Sequence, residues 1–139
     1  MFPHTTKILI VDDMEATRLT EKKALQKLGF THFFEAENGI KALKVLNQQA
    51  ALRQPIELII CDWTMPDLNG LELIKKMKNN DKLKDIPMIM VSATSEPAKI
   101  LEAIKTGVTD YILKPFDSEI LERKLEIVWD KLNNSSDAD

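Results

Sequence analysis

The 139-residue sequence has little cysteine, tyrosine or histidine: it contains one, one and two of them. A single cysteine, Cys61, excludes an internal disulfide and a zinc site built from several cysteines. Because Cys61 stands inside an apolar run, we expect a small buried core residue there rather than a reactive thiol. The histidines are His4, in the polar lead, and His32, at the start of the second apolar run, so a serine hydrolase would lack its general base.

Long hydrophobic runs and an excess of basic residues are also missing. No stretch approaches the ~20 apolar residues of a membrane span, and the lead MFPHTTK lacks the pattern of a signal peptide. The net charge is -3, and lysines and arginines alternate with acidic residues, which argues against a nucleic-acid-binding domain. No Gly-x-Gly-x-x-Gly follows any apolar run, which disfavours a nicotinamide-binding domain. We therefore expect a cytoplasmic protein that contacts neither membrane nor nucleic acid.

Five short apolar runs alternate with longer segments in which apolar residues recur at helical spacing, at positions i, i+3 and i+4. This alternation predicts an α/β fold, with a parallel sheet covered by five helices on its two faces. The first helical segment is the least regular, because the stripe that carries Leu25 and Leu28 carries Thr17 and Thr20 earlier. The five runs are residues 7–11, 32–36, 58–61, 87–91 and 109–113.

Boundary signals agree with these elements and indicate one domain over residues 1–132. Gly29 has the position of a residue that ends a helix, and Gly107 is a candidate for the same role. Asn69-Gly70 separates the third run from the next helix, and Asp117 or Ser118 can cap the last one. Residues 133–139 are polar and lack apolar periodicity, so we expect a disordered tail.

Polar side chains follow four of the five predicted strands. Asp12 and Asp13 follow the first, Asp62 the third, Ser92 the fourth and Lys114 the fifth. The carboxyl ends of parallel strands meet at one edge of a sheet, where ligands bind. Three adjacent carboxylates favour a hard cation such as Mg²⁺, and a lysine and a hydroxyl suit phosphate oxygens. This set fits phosphoryl transfer, with Asp62 as a carboxylate nucleophile that forms an aspartyl phosphate.

Each of these signals is weak when taken alone. An acidic pair after a strand is often a helix cap, and Asp13 could cap the first helix. Ser92 could equally be a cap, and Lys-Pro is a common turn dipeptide. The specificity lies in the occurrence of all of them at successive strand ends.

Four segments together resemble response-regulator receiver domains: ILIVDD, LIICDWTMPDLNGLELIKKMK, IPMIMVSAT and GVTDYILKPF. The resemblance spans residues 7 to about 132 and is especially close to chemotaxis regulators of the CheY type. It implies a doubly wound, flavodoxin/CheY-like sheet of five parallel strands in the order 2-1-3-4-5. It also implies that Asp62 accepts phosphate from the phosphohistidine of a sensor histidine kinase, with Mg²⁺ required.

The resemblance further implies a role for each site residue. Asp13, Asp62 and the backbone carbonyl of Thr64 would be metal ligands, and Asp12 would act through the water shell of the ion. Ser92 would be the switch hydroxyl and Lys114 the partner of the phosphoryl group, with a cis peptide before Pro115. Tyr111 would move inward on phosphorylation and change a surface on the fourth helix, fifth strand and fifth helix. Thr64 and Thr94 depart from the CheY pattern, so the phosphate lifetime is not carried over.

The output and two alternative functions stay open. A downstream protein, such as the flagellar motor switch, would bind the changed surface; alternatively, the domain belongs to a longer regulator with an effector domain. An aspartyl-phosphate phosphatase would need Asp-x-Asp after the first strand, and a receiver without phosphorylation would act as a scaffold. Ile120, Ile127 and Trp129 flank the core stripe of the last helix; they either widen its buried face or dock a partner or a second copy. No external substrate is expected, because a receiver catalyses its own phosphorylation and dephosphorylation.

Overall fold

A computed structural model of the chain describes residues 1–63, 68–93 and 95–134. In these ranges five strands alternate with five helices, as the sequence predicted. The elements are β1 Lys7–Val11, α1 Glu15–Lys27, β2 His32–Ala36, α2 Gly39–Ala51, β3 Leu58–Asp62, α3 Gly70–Lys78, β4 Met88–Ser92, α4 Pro97–Thr106, β5 Asp110–Leu113 and α5 Ser118–Asn134.

The strands form one parallel sheet in the order β2-β1-β3-β4-β5, which confirms the predicted doubly wound fold. β1 pairs with β2 on one side and with β3 on the other, where Val11 lies opposite Cys61. Strand order therefore reverses at β1, and a crevice opens beyond the carboxyl ends of β1 and β3. This crevice is where the predicted acidic residues lie.

The two faces of the sheet carry separate hydrophobic clusters. Ile8 and Ile10 point to the face covered by α1 and α5, whereas Leu9 and Val11 pack with residues of α2, α3 and α4. Successive side chains of a strand point to opposite faces, so strands covered on both sides consist of unbroken apolar residues. All of Ile8 to Val11 are inaccessible to solvent.

Local capping explains where the helices begin and end. The Asn69 side chain accepts a hydrogen bond from the Glu72 N–H, and the Glu72 carboxylate accepts one from the Asn69 N–H, which forms a capping box at the start of α3. Gly29 follows α1 with φ of +102°, a conformation that glycine adopts without steric cost. Asp117 caps α5 by accepting a hydrogen bond from the Ile120 N–H.

The N-terminal lead packs onto the domain. Phe2 is buried, and its ring meets that of Trp129 on α5 edge-to-face, with the ring centroids 5.1 Å apart. Trp129 thus belongs to a buried contact of this chain, whereas Ile120 and Ile127 are exposed. No helix in the described parts of the chain combines the length and apolar composition needed to cross a membrane.

Candidate functional site

Three carboxylates converge at the switch point of the sheet. Asp12 and Asp13 follow β1, and Asp62 is the last residue of β3, the neighbouring strand. Each contributes one oxygen, and these oxygens all lie within 4.8 Å of one another. Asp12 is 1% exposed and Asp62 is 9% exposed, while Asp13 faces solvent. Like charges held this close repel one another, so the cluster favours a bound cation.

Backbone and arginine contacts fix the position of Asp12. Its Oδ1 accepts a hydrogen bond from the Met14 N–H at 2.9 Å, immediately before α1. The Arg18 guanidinium donates to the Asp12 carbonyl oxygen at 2.6 Å and to Glu35 Oε1 at 3.1 Å. It is therefore Asp12, rather than Asp13, that accepts a hydrogen bond at the entry to α1.

Lys114 reaches the cluster from the end of β5. Its Nζ lies 3.2 Å from Asp12 Oδ2 and 3.5 Å from Asp62 Oδ1. The peptide between Lys114 and Pro115 is cis, as the resemblance predicted. The structure thus brings together the lysine and the three carboxylates, which are separated by up to 102 residues in sequence.

The pKa values of Asp62 and Lys114 are both shifted from their ordinary values. Burial raises the pKa of the Asp62 carboxyl, Lys114 opposes this rise, and Asp12 adds to it. Burial alone would lower the pKa of the Lys114 ammonium, but the carboxylates of Asp62 and Asp12 outweigh it, so the lysine pKa is raised. Lys114 therefore carries its positive charge throughout the physiological pH range, directly beside Asp62.

Ser92 and Tyr111 lie on the neighbouring strands β4 and β5. Both are largely buried, and Ser92 is aligned with Leu113 across the two strands. The Tyr111 ring meets the Trp63 ring edge-to-face, with centroids 6.3 Å apart. Since Trp63 directly follows Asp62, one aromatic contact joins the acid cluster to β5.

The first residue of α3, Gly70, lies close to the backbone at the end of β3. The Gly70 N–H donates to the Trp63 carbonyl oxygen at 3.0 Å. A Cβ atom at Gly70 would lie 2.8 Å from the Asp62 carbonyl oxygen and 2.8 Å from Met90 Sδ. Only a residue without a side chain fits there, so Gly70 keeps α3 close to the end of β3.

Glu21 is the residue that the sequence did not single out. It lies on α1, is 3% exposed, and both of its carboxylate oxygens are buried with no hydrogen-bond partner in the described chain. Burial, followed by repulsion from Asp12, raises the pKa of Glu21 to about 8. Its spacing in the sequence could have indicated this burial. Glu21 is four residues from both Thr17 and Leu25, so its carboxylate lies on the same face of α1 as these residues, the face that packs against the sheet.

Two predicted positions lie outside the described residues. These are Thr64, whose carbonyl was predicted to bind metal, and Thr94, which departs from the CheY pattern. The predicted tail, residues 133–139, lies partly outside the described residues as well. Its first two residues belong to α5, which ends at Asn134, and the described chain ends there.

The fold and the site define a class of protein: a doubly wound α/β domain with an acidic cluster and a lysine at its switch point. The chain belongs to the response regulator receiver domain family, whose family model matches residues 8–126. This confirms the resemblance noted from the four sequence segments.

Several relatives are chemotaxis proteins. The chain is 39% identical to the chemotaxis protein CheY1 of Helicobacter pylori over 122 residues, which are 88% of this chain and 95% of the relative. It is 40% identical to a chemotaxis protein CheY homolog of Campylobacter jejuni over 122 residues, 88% of this chain and 91% of that one. The solved structure of the chemotaxis response regulator CheY4 of Vibrio cholerae has a TM-score of 0.77 and 30% identity, and covers 89% of this chain and 98% of that one.

Proposed function

We propose that this receiver domain accepts a phosphoryl group on Asp62 from the phosphohistidine of a sensor histidine kinase, in the cytoplasm and with Mg²⁺. The observation that carries the proposal is the convergence of Asp12, Asp13 and the Lys114 ammonium around the Asp62 carboxylate. In the step itself, an Asp62 oxygen attacks phosphorus, the O–P bond forms and the N–P bond to the histidine breaks. Apart from the phosphodonor, the reaction uses groups of this chain, and residues 1–132 are the unit that we assign to it.

The donor set fits magnesium. Asp12, Asp13 and Asp62 supply only oxygen ligands, which suit a hard ion that keeps several waters. Asp13 and Asp62 would bind the ion, Asp12 would act through its water shell, and the Thr64 carbonyl is the further ligand that the resemblance implies. Bound magnesium would neutralise charge on the transferring phosphoryl group.

Lys114 and Ser92 complete the chemistry that this chain supplies. The Lys114 ammonium already contacts Asp62, so it is placed to pair with phosphoryl oxygens without a large movement. Ser92 ends β4 at the same edge of the sheet, where its hydroxyl would donate to the phosphoryl group. We assign Lys114 to charge pairing and Ser92 to the switch.

The output that we propose is a change in protein binding at α4, β5 and α5. As the resemblance implies, a movement of Ser92 toward Asp62 would alter the space available to the Tyr111 ring, which meets the Trp63 ring next to Asp62. The surface outside Tyr111 exposes apolar side chains, which suits a protein partner. They are Leu101, Ile104, Leu113, Ile120 and Ile127.

The names of the relatives favour a target in chemotaxis, such as the flagellar motor switch. Two other occupants of the same surface are a second copy of the chain and an effector domain of a longer regulator. Pull-down with the purified motor-switch protein, with and without the phosphodonor, separates the first from the other two. Binding that does not depend on phosphorylation would contradict the proposed switch.

Intact-mass spectrometry tests the phosphoacceptor. Acetyl phosphate with Mg²⁺ should add one phosphoryl group to the wild type and none to Asp62→Asn. Asp85→Asn is the matched control, because Asp85 is exposed and precedes β4, at the amino-terminal ends of the strands and away from the acid cluster. An adduct that persists on Asp62→Asn would exclude Asp62, and a wild type without any adduct would support the unphosphorylated scaffold.

A further inference from the structure

Glu21 and Lys114 line the same cleft, between α1 and the junction of β5 with α5. The cleft has a volume of about 280 Å³, and Thr17, Thr20, Pro115 and Phe116 also line it. The Glu21 carboxylate is buried, and no hydrogen bond from the described chain reaches either oxygen. A buried polar group without a partner is costly, so its presence beside the site calls for a function.

Three charged groups at strand ends act on Glu21. Asp12 follows β1, Asp62 ends β3 and Lys114 follows β5, whereas the chain that leads into α5 presents the apolar Pro115 and Phe116. Of these, only Lys114 attracts the carboxylate. The lysine ammonium already divides its contacts between Asp12 and Asp62, so a charged Glu21 is a third competitor for it.

We propose that Glu21 is a positioning residue for the phosphorylation chemistry: in its ionised form it attracts the Lys114 ammonium from the cleft and so hinders the pairing of that ammonium with the phosphoryl group. This inference rests on the proposed function. A phosphoryl group on Asp62 adds about two negative charges and needs the ammonium of Lys114. A charged Glu21 attracts that ammonium and repels the phosphoryl group, whereas it favours cations at the neighbouring acid cluster.

Because of this competition, loss of the Glu21 charge should change the affinities for two ligands of the site in opposite directions. Removal of the Glu21 charge should strengthen binding of an anionic phosphoryl analogue and weaken binding of Mg²⁺. Because burial raises the pKa of Glu21 to about 8 in the metal-free protein, the effect on Mg²⁺ binding should be larger at pH 8.5 than at pH 6.5. A residue that only packs would change both affinities in the same direction, and equally at both pH values.

The experiment titrates wild type, Glu21→Gln and Glu21→Leu with Mg²⁺, and then with beryllofluoride at saturating Mg²⁺, following Trp63 fluorescence. At pH 8.5 we expect both variants to bind beryllofluoride roughly tenfold more tightly and Mg²⁺ more weakly, as for charges several ångströms apart in a partly buried site. Glu122→Gln removes an equal charge from an exposed position on α5 and should leave both affinities unchanged. The leucine variant retains the test if the glutamine variant does not fold.

The outcomes separate the two proposals. If the wild type binds beryllofluoride but both Glu21 variants match it within twofold at each pH, the inference about Glu21 is wrong and the proposed function stands. Affinities that change in the same direction also contradict it. If the wild type binds neither Mg²⁺ nor beryllofluoride, the phosphorylation proposal itself fails.

Discussion

Replacing Glu21 by leucine should make the protein more stable, by an amount that grows with pH. The pKa of Glu21 is about 8 in the folded protein against an ordinary value of 4.5. Below pH 4.5 both the folded and the unfolded chain hold the proton, so the residue has no pH-dependent effect there. Between pH 4.5 and 8 the folded chain binds a proton that the unfolded chain has lost, so stability falls as the pH rises.

The magnitude follows from that difference in pKa. At about 1.4 kcal/mol for each pKa unit, the rise from 4.5 to about 8 lowers the free energy of unfolding by about 5 kcal/mol at pH 8 and above. This is a large share of the free energy of unfolding of a typical domain, which is about 5–15 kcal/mol. Glu21→Leu removes the cost and fills the same apolar position.

Urea unfolding followed by circular dichroism measures the effect, with EDTA present so that metal does not contribute. The stability advantage of Glu21→Leu over wild type should increase steadily from pH 5 to pH 8. Glu122→Leu, at an exposed site on α5, should show no such trend. An advantage that stays constant over this range would refute the reasoning, because it would mean that Glu21 is ionised in the folded protein.

Three further outcomes follow from particular contacts. Trp63 follows Asp62 directly, so Mg²⁺ should change its fluorescence, and no response at millimolar Mg²⁺ would contradict an assembled site. Gly70→Ala should cost roughly 1–3 kcal/mol by urea unfolding, since its Cβ would lie 2.8 Å from the Asp62 carbonyl oxygen, and an unchanged midpoint would contradict that close approach. Phe2→Ala should cost about 3 kcal/mol through lost packing against Trp129; a melting temperature equal to wild type would show that the lead does not dock.

The sequence predicted the fold well because the strand signals are local. The first two predicted runs, 7–11 and 32–36, coincide with β1 and β2. The third and fifth differ from the observed strands by one residue at one end, and the fourth, 87–91, is shifted by one residue against β4. Continuous apolar runs identify strands that are covered on both faces, and Gly29 and Asn69 mark helix boundaries through their own backbone preferences. Strand order came from the resemblance, since local patterns do not specify which strands pair.

The site was predicted in part for a related reason. Topology brings the carboxyl ends of parallel strands together, so the sequence alone predicts that Asp12, Asp13, Asp62 and Lys114 lie near one another. Glu21 was not grouped with them, because it lies in a helix and a charged helical residue is usually solvated. Its burial depends on the rotation of α1 against the sheet, which is a tertiary property.

The most direct measurement of the central proposal locates the phosphoryl group on the chain. After transfer from a phosphorylated histidine kinase with Mg²⁺, borohydride reduces an aspartyl phosphate to homoserine, and tandem mass spectrometry of the peptides identifies its position. Homoserine at residue 62, lost when EDTA is present, is the predicted result. Phosphate on another residue, or labelling that does not depend on Mg²⁺, would contradict the account.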